Sequence, residues 1–329
     1  MKSAKKLFFL ATFLIISLTT INPLYAQIKV GNGVISGDFA LNGMFYQPDS
    51  LIGAEKVDSK VRANSWLNLQ YTNSGFTVGA RYEFYSFPLI DFEKIGYKGQ
   101  GITNYFVDYK NDFIQVTAGT FYEQFGQGFT LRSYEDRLLG IDNSLLGMRV
   151  KATPYKGIYL KGVWGIERKN FDFNYAERND YIRGLDAEIA LADMIPAIGN
   201  SGVTATIGGS FVSKFEKSLN DIYFSVFPNG DTIPVTVNAD KIPQNVATWA
   251  GRINLGYKGF RFEAEYANKA NDPNNSNNYI YKNGEALFMS ATYSMKGLGV
   301  AASFIRSDNM DFRSQRGIST NSLLSINYI

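Results

Sequence analysis

The 329-residue sequence contains no cysteine and no histidine. Without histidine there is no Ser-His-Asp triad and no imidazole general base. Without cysteine there is no thiol nucleophile and no disulfide. Zinc sites of the usual nitrogen and sulfur type lose both of their favoured ligands. No metal and no cofactor is expected, and no enzyme. Charge is scarce as well, at 19% of residues against roughly 25% in an ordinary soluble domain. Lysine and arginine total 33 against 30 acidic residues. Lys2, Lys5 and Lys6 lie in a segment read below as removed, which leaves the rest balanced. A balanced chain is a poor ligand for nucleic acid, where phosphate contacts need excess positive charge.

Long apolar runs are also missing, with one exception. Leu7 to Leu18 is apolar and follows the three lysines. Pro23 breaks the run, and Ala26 supplies a small residue before Gln27. This is the layout of a secretory signal, expected over residues 1–26. The run is shorter than the ~20 residues of a spanning helix, and no second run reaches that length.

What is abundant is aromatic residues, 15% of the chain, and glycine, 31 residues. They fall in segments of period two. Phe76, Val78, Ala80, Tyr82 and Phe84 alternate with Thr77, Gly79, Arg81, Glu83 and Tyr85. Leu146, Met148 and Val150 alternate with Gly147, Arg149 and Lys151; Phe260, Phe262 and Ala264 alternate with Arg261, Glu263 and Glu265. Such alternation places one set on each face of a strand. Roughly fourteen segments of this kind are present, most longer than the five or six residues of an average strand. Tight connections such as Asn73-Ser74-Gly75 and Tyr257-Lys258-Gly259 alternate with long ones such as Gln124 to Asn143 and Phe215 to Asn245. Ala192 to Ser201 is the exception, a longer stretch where a tight turn is due. Tyrosines including Tyr71, Tyr109, Tyr155 and Tyr293 sit near predicted strand ends, where an interfacial girdle belongs. The expected fold is all-β, a transmembrane antiparallel β-barrel of about fourteen strands over residues 27–329. The competing expectation is a soluble, secreted all-β protein.

Several stretches carry a family resemblance. Among them are Gly119-Thr120-Phe121-Tyr122-Glu123-Gln124-Phe125-Gly126, Leu131-Arg132-Ser133-Tyr134-Glu135-Asp136-Arg137 and Tyr279-Ile280-Tyr281-Lys282. They resemble a Bacteroidetes outer-membrane β-barrel family of unknown function, domain-of-unknown-function family 6029. The resemblance implies the outer membrane of a Gram-negative cell. It implies no activity and no site residues. Its members continue past the point that resembles Asn327-Tyr328-Ile329, so it also implies a fragment or a shortened member, with more strands in the first case.

The candidate site is the third long connection. Gln124 to Asn143 concentrates Arg132, Glu135, Asp136, Arg137 and Asp142, with glycines that permit tight bends. Folded into a lumen, such charges would narrow a pore and set its selectivity. The plainer reading is a solvated loop held by local ion pairs. Arg81, Glu83, Arg149 and Arg261 fall on polar strand faces and are the expected lining. Glu135 and Asp136 do not suit acid-base work, because adjacent strand residues face opposite ways. Asn271 to Asn278 is rich in oxygen ligands of the kind calcium takes, but it holds one acid. The expected function is a porin-like channel for small polar solutes. The alternative is a scaffold barrel that engages another envelope protein. In both cases outer-membrane lipid is the surrounding partner.

Overall fold

In the computed structural model the described residues are 27–54, 56–86, 98–137, 141–168, 171, 180–217, 222–226, 232–236, 242–317 and 326–327. The expected signal segment lies outside them, as do most of the connection after Ser86 and most of that between Arg168 and Asp180.

The chain forms β1 (Gln27–Val30), β2 (Gly33–Phe45), β3 (Val61–Asn73), β4 (Phe76–Tyr85), β5 (Gly99–Lys110) and β6 (Ile114–Phe121). Two-residue strands β7 (Glu135–Asp136) and β8 (Ile141–Asp142) follow, then β9 (Leu145–Tyr155), β10 (Ile158–Glu167), β11 (Asp180–Ala190) and β12 (Val203–Glu216). A small hairpin, β13 (Ile222–Val226) and β14 (Thr232–Thr236), precedes β15 (Asn245–Tyr257), β16 (Phe260–Lys269), β17 (Gly284–Met295) and β18 (Leu298–Asp308). Apart from the two small pairs β7–β8 and β13–β14, all lie in one 14-stranded antiparallel sheet whose neighbours follow chain order. The expected strand number is met. Among the described residues no ladder joins β1 to β18.

The tight connections gather on one rim. Ser74 and Gly75 both adopt positive φ, 48° and 87°, the turn whose twist matches paired antiparallel strands. Gly75 also lies under the Lys110 carbonyl, which a Cβ would meet at 2.7 Å. The exceptional stretch after β11 forms two short helices, Leu191–Met194 and Pro196–Asn200, on this same rim.

Register sorts the side chains. Leu69, Ala80 and Tyr105 lie in one outward row, and Val150, Gly162, Leu185, Phe211 and Trp249 in another. Asp38, Asn68, Arg81 and Asn104 form an inward row. Exposure is inverted relative to a soluble protein. Phe39 and Leu185 are 65% and 67% exposed, while Glu83, Arg168, Lys214 and Lys269 are fully buried. Charged side chains are almost never buried unless paired, so the interior must supply partners. The sheet curves enough to do so. Arg168, just beyond β10, reaches Glu83 on β4.

Candidate functional site

The connection after β6 folds inward as a finger. Tyr122 and Glu123 leave β6 along the wall. Phe125 then turns into an apolar cluster with Phe121, Leu131, Leu145, Val163 and Ile182. Gly126 adopts φ 50°, and a Cβ there would lie 2.1 Å from the Glu265 carboxylate on β16. The positive φ favours glycine here, and any side chain would displace the Glu265 carboxylate. The next backbone amide, that of Gln127, donates to Glu265 at 2.9 Å. The finger therefore spans from β6 to β16. Phe129 closes its tip against Ala250, Ala267 and Ala286, small residues of β15, β16 and β17. The return path bridges Arg132 back to Gln124, and β7 pairs with β8.

Two arginines fasten the base of the finger. Arg81 pairs with Glu83 at 2.6 Å, Glu135 at 3.0 Å and Asp142 at 2.8 Å. Arg168 pairs with Glu83 at 2.8 Å and Asp142 at 2.5 Å. The Tyr122 hydroxyl donates to Asp142 at 2.9 Å. Burial works to raise the Asp142 carboxyl, but Arg168 and Arg81 overcome it and hold the group low. Burial likewise favours neutral Glu123, and Lys151 and Lys161 reverse that preference. Burial, reinforced by Asp142, keeps the Tyr122 phenol raised and therefore neutral. Glu83, Glu135 and Asp142 bring carboxylate oxygens within 4.8 Å of one another. Guanidinium groups already fill the space a cation would take.

A second strand of chain braces the finger from the far side. After β18, Met310 joins the Phe129 cluster and Phe312 the Phe125 cluster. Asn327 donates to the carbonyls of Phe129 and Met310, both at 2.8 Å. The Arg132 amide donates to the Ile326 carbonyl at 2.7 Å.

The expected lining residues separate into groups. Arg81, Glu83 and Glu135 meet in the fastening network. Arg137 joins it at its edge, 3.0 Å from Glu135 and above the Trp66 ring. Asp136 sits opposite Ile141, and Arg132 lies over Tyr134. Arg149 faces inward beside Glu123 and Asp108 and donates to Thr117 at 2.9 Å. Arg261 stands apart, exposed near the tight-turn rim opposite Gly256 and Thr292. Asp272, the acid of the oxygen-rich loop, is taken by Lys214 at 2.8 Å. Sequence reasoning missed Arg168 and the apolar tip. The signal for the tip was Phe125-Gly126-Gln127-Gly128-Phe129, two aromatics spaced by glycines in an otherwise charged loop.

The finger divides the interior. Beside it, along β2 to β6 and β9, a cavity of about 850 Å3 remains, lined by Asp38, Asn68, Gln70, Asp108, Thr117 and Arg149 among others. Asn68 donates to Asp38 at 2.8 Å, Gln70 to Ser36 at 3.0 Å and Gln115 to Asp108 at 3.0 Å. These are the amide and carboxylate groups that water and polar solutes bond to.

Comparison with known proteins returns similarities of modest depth. The outer-membrane protein OmpT of Vibrio cholerae is 10% identical, with 86% of this chain and 78% of that one covered and a TM-score of 0.42. The outer-membrane channel DcaP of Acinetobacter baumannii is 13% identical, over 86% of this chain and 82% of that one, with a TM-score of 0.37. OccD3 of Pseudomonas aeruginosa is 9% identical, over 88% and 74%, with a TM-score of 0.35. No curated protein matches. A family model matches residues 4–329, described as a family of unknown function (DUF6029). The chain belongs to that family.

Proposed function

We propose that the chain is an outer-membrane protein of porin type, through which small polar solutes pass passively along the β2 to β6 side of the lumen. The observation that carries this is the cavity of about 850 Å3 on the inner face, whose lining includes Asp38, Asn68, Gln70, Asp108 and Arg149, behind an exposed apolar outer face. Apolar area of that extent is stable against lipid and a liability in water. Residues 1–26 would direct export, and the long-loop rim would face outward. The finger would act as the constriction, with its apolar tip as obstruction and its charged base as wall lining.

Planar-bilayer recording on purified protein tests the reading. Stepwise currents are expected, small because the finger occupies part of the lumen. A protein that stays silent, and remains silent after removal of Phe125 to Leu131, would leave the scaffold reading in its place. That reading has its own support in the interlock of finger and post-β18 segment, which fills the β10 to β17 side. Membrane placement has a separate test. Ala80 faces outward between Leu69 and Tyr105, and Thr77 faces inward opposite Asp108. Ala80→Arg should cost about 2–4 kcal/mol and impair assembly. Thr77→Arg should assemble normally, read by heat-modifiable gel migration. Equal damage would remove the lipid-facing assignment.

A further inference from the structure

The outward face of the fourteen-stranded wall is nearly free of charge. By register it carries four charged side chains: Arg183, Glu285, Arg306 and Asp308. Three of these sit together on β17 and β18. Arg306 pairs with Glu285 at 2.9 Å, and Asp308 with Lys282 at 2.7 Å. Arg183 on β11 is different. It is exposed, and its guanidinium meets the Asn245 side-chain oxygen at 3.1 Å and the Tyr181 ring at 5.7 Å. Among the described residues no carboxylate pairs with it. An outward cation costs less the nearer it lies to the membrane interface, and there an anionic headgroup is attracted to it.

The surroundings say what that is. Trp164, Tyr181 and Phe215 cluster beside Arg183, with ring centroids 6.3 Å and 5.0 Å apart in succession. Such a cluster marks the headgroup level of a membrane. Arg183 is the fourth residue of its strand, counted from the long-loop end. Directly toward the bilayer interior lies a groove of about 370 Å3, bordered by Met148, Val150, Trp164, Leu185 and Phe211. Its floor is open because Gly162 has no side chain. A Cβ there would meet only Leu185, at an ordinary 3.5 Å. The sequence thus leaves a gap in an otherwise continuous apolar row, with one cation at its mouth.

We infer that this groove holds one acyl chain of an anionic phospholipid, whose phosphate is bound by Arg183. The inference rests on the membrane placement above, though not on conduction. A phosphate accepts from a guanidinium fork in the bidentate manner that a single ammonium lacks. The groove supplies the acyl complement, and a lipid is the occupant that has both parts at that depth.

Trp164 reports on the site. Trp66 is buried on the inner side, so in a Trp249→Phe background Trp164 is the remaining lipid-facing tryptophan. The protein is reconstituted into phosphatidylcholine vesicles that contain a minor share of phosphatidylglycerol. Acyl-brominated versions of each lipid are then compared as quenchers. Brominated phosphatidylglycerol should quench Trp164 about fivefold beyond its share of the lipid, the preference one interfacial cation confers. Arg183→Gln should abolish the preference and Arg183→Lys retain part of it. Gly162→Val should fill the groove and lower quenching by either lipid. Excess inorganic phosphate should leave the preference unchanged. Equal quenching by the two lipids, a preference that survives Arg183→Gln, or displacement by free phosphate would each overturn the site. Absence of quenching by any brominated lipid would instead overturn membrane placement, and the site with it.

Discussion

On the β10 to β17 side of the lumen, Phe125, Phe129, Leu131, Met310 and Phe312 are buried against the wall. On the β2 to β6 side, Asp38, Asn68, Gln70 and Asp108 face a cavity. The same barrel-type wall thus carries two interiors. One is packed as a soluble core is packed, with apolar side chains against small ones. The other carries hydrogen-bonding groups around a cavity of about 850 Å3. Ionic partners lie on the boundary between them, where Arg81 and Arg168 bind both the wall and the finger. The difference teaches that packing and fastening are separate jobs here. The apolar tip packs against the far wall, and the charges fasten the base.

The comparison breaks most completely if the packed side is emptied. Phe125→Ala with Phe129→Ala should remove about 3–5 kcal/mol of packing at each site and free the tip. Single-channel conductance should rise severalfold while the wall remains folded on cold detergent gels. Next in size is the fastening. Arg81→Ala leaves Glu83, Glu135 and Asp142 short of a cation and should cost about 3–5 kcal/mol. Because the chain has no cysteine, Ser133→Cys gives a clean reporter. The thiol, buried in the parent, should become reactive to a soluble maleimide when Arg81 is also replaced. Unchanged reactivity would mean that apolar packing alone holds the finger.

Acid gives a graded version of the same test. Asp142 is held below its unfolded value, so its contribution is fully present above the unfolded pKa of about 3.9. It is lost as pH falls through the lower folded value. Glu123 follows the same sign. The hold these two carboxylates exert on the finger should therefore be steady from pH 7 to pH 5 and weaken only below about pH 4, read as added current noise there. A transition between pH 5 and pH 7 would have to come from a group other than Asp142 and Glu123, both of which are held low. The smallest effect belongs to Arg261, exposed at the tight-turn rim. Arg261→Ser should change stability by less than about 0.5 kcal/mol. Reversal potential in a salt gradient should stay within error, which would remove Arg261 from the selectivity lining.

Much of the wall was legible because it rests on local rules. Alternation such as Phe76 to Tyr85 gives the face, and Ser74-Gly75 gives the turn, without knowledge of any distant residue. The inward loop was legible only as a density of charge. Its working parts were not, because Phe129 acquires meaning from residues more than a hundred positions away, Ala250, Ala267 and Ala286, and Phe125 from Val163, Ile182 and Phe312. Arg168 escaped for a related reason. It stands one residue past β10, outside any periodic pattern, and its partner Glu83 is set by curvature of the sheet. The segment around Met310 and Phe312 shows no period at all, and its place is decided by the finger it covers.

Phe129 and the three alanines beneath it share one volume, and a shared volume is a rule of inheritance. A larger residue at position 250, 267 or 286 would evict the ring, and a smaller one at 129 would leave a void. These positions, drawn from the finger and three strands, can drift only in concert. Related chains should therefore show compensated changes at these four sites. Where the compensation fails, in a chain with bulk at 267 and an aromatic still at 129, the finger has left the lumen.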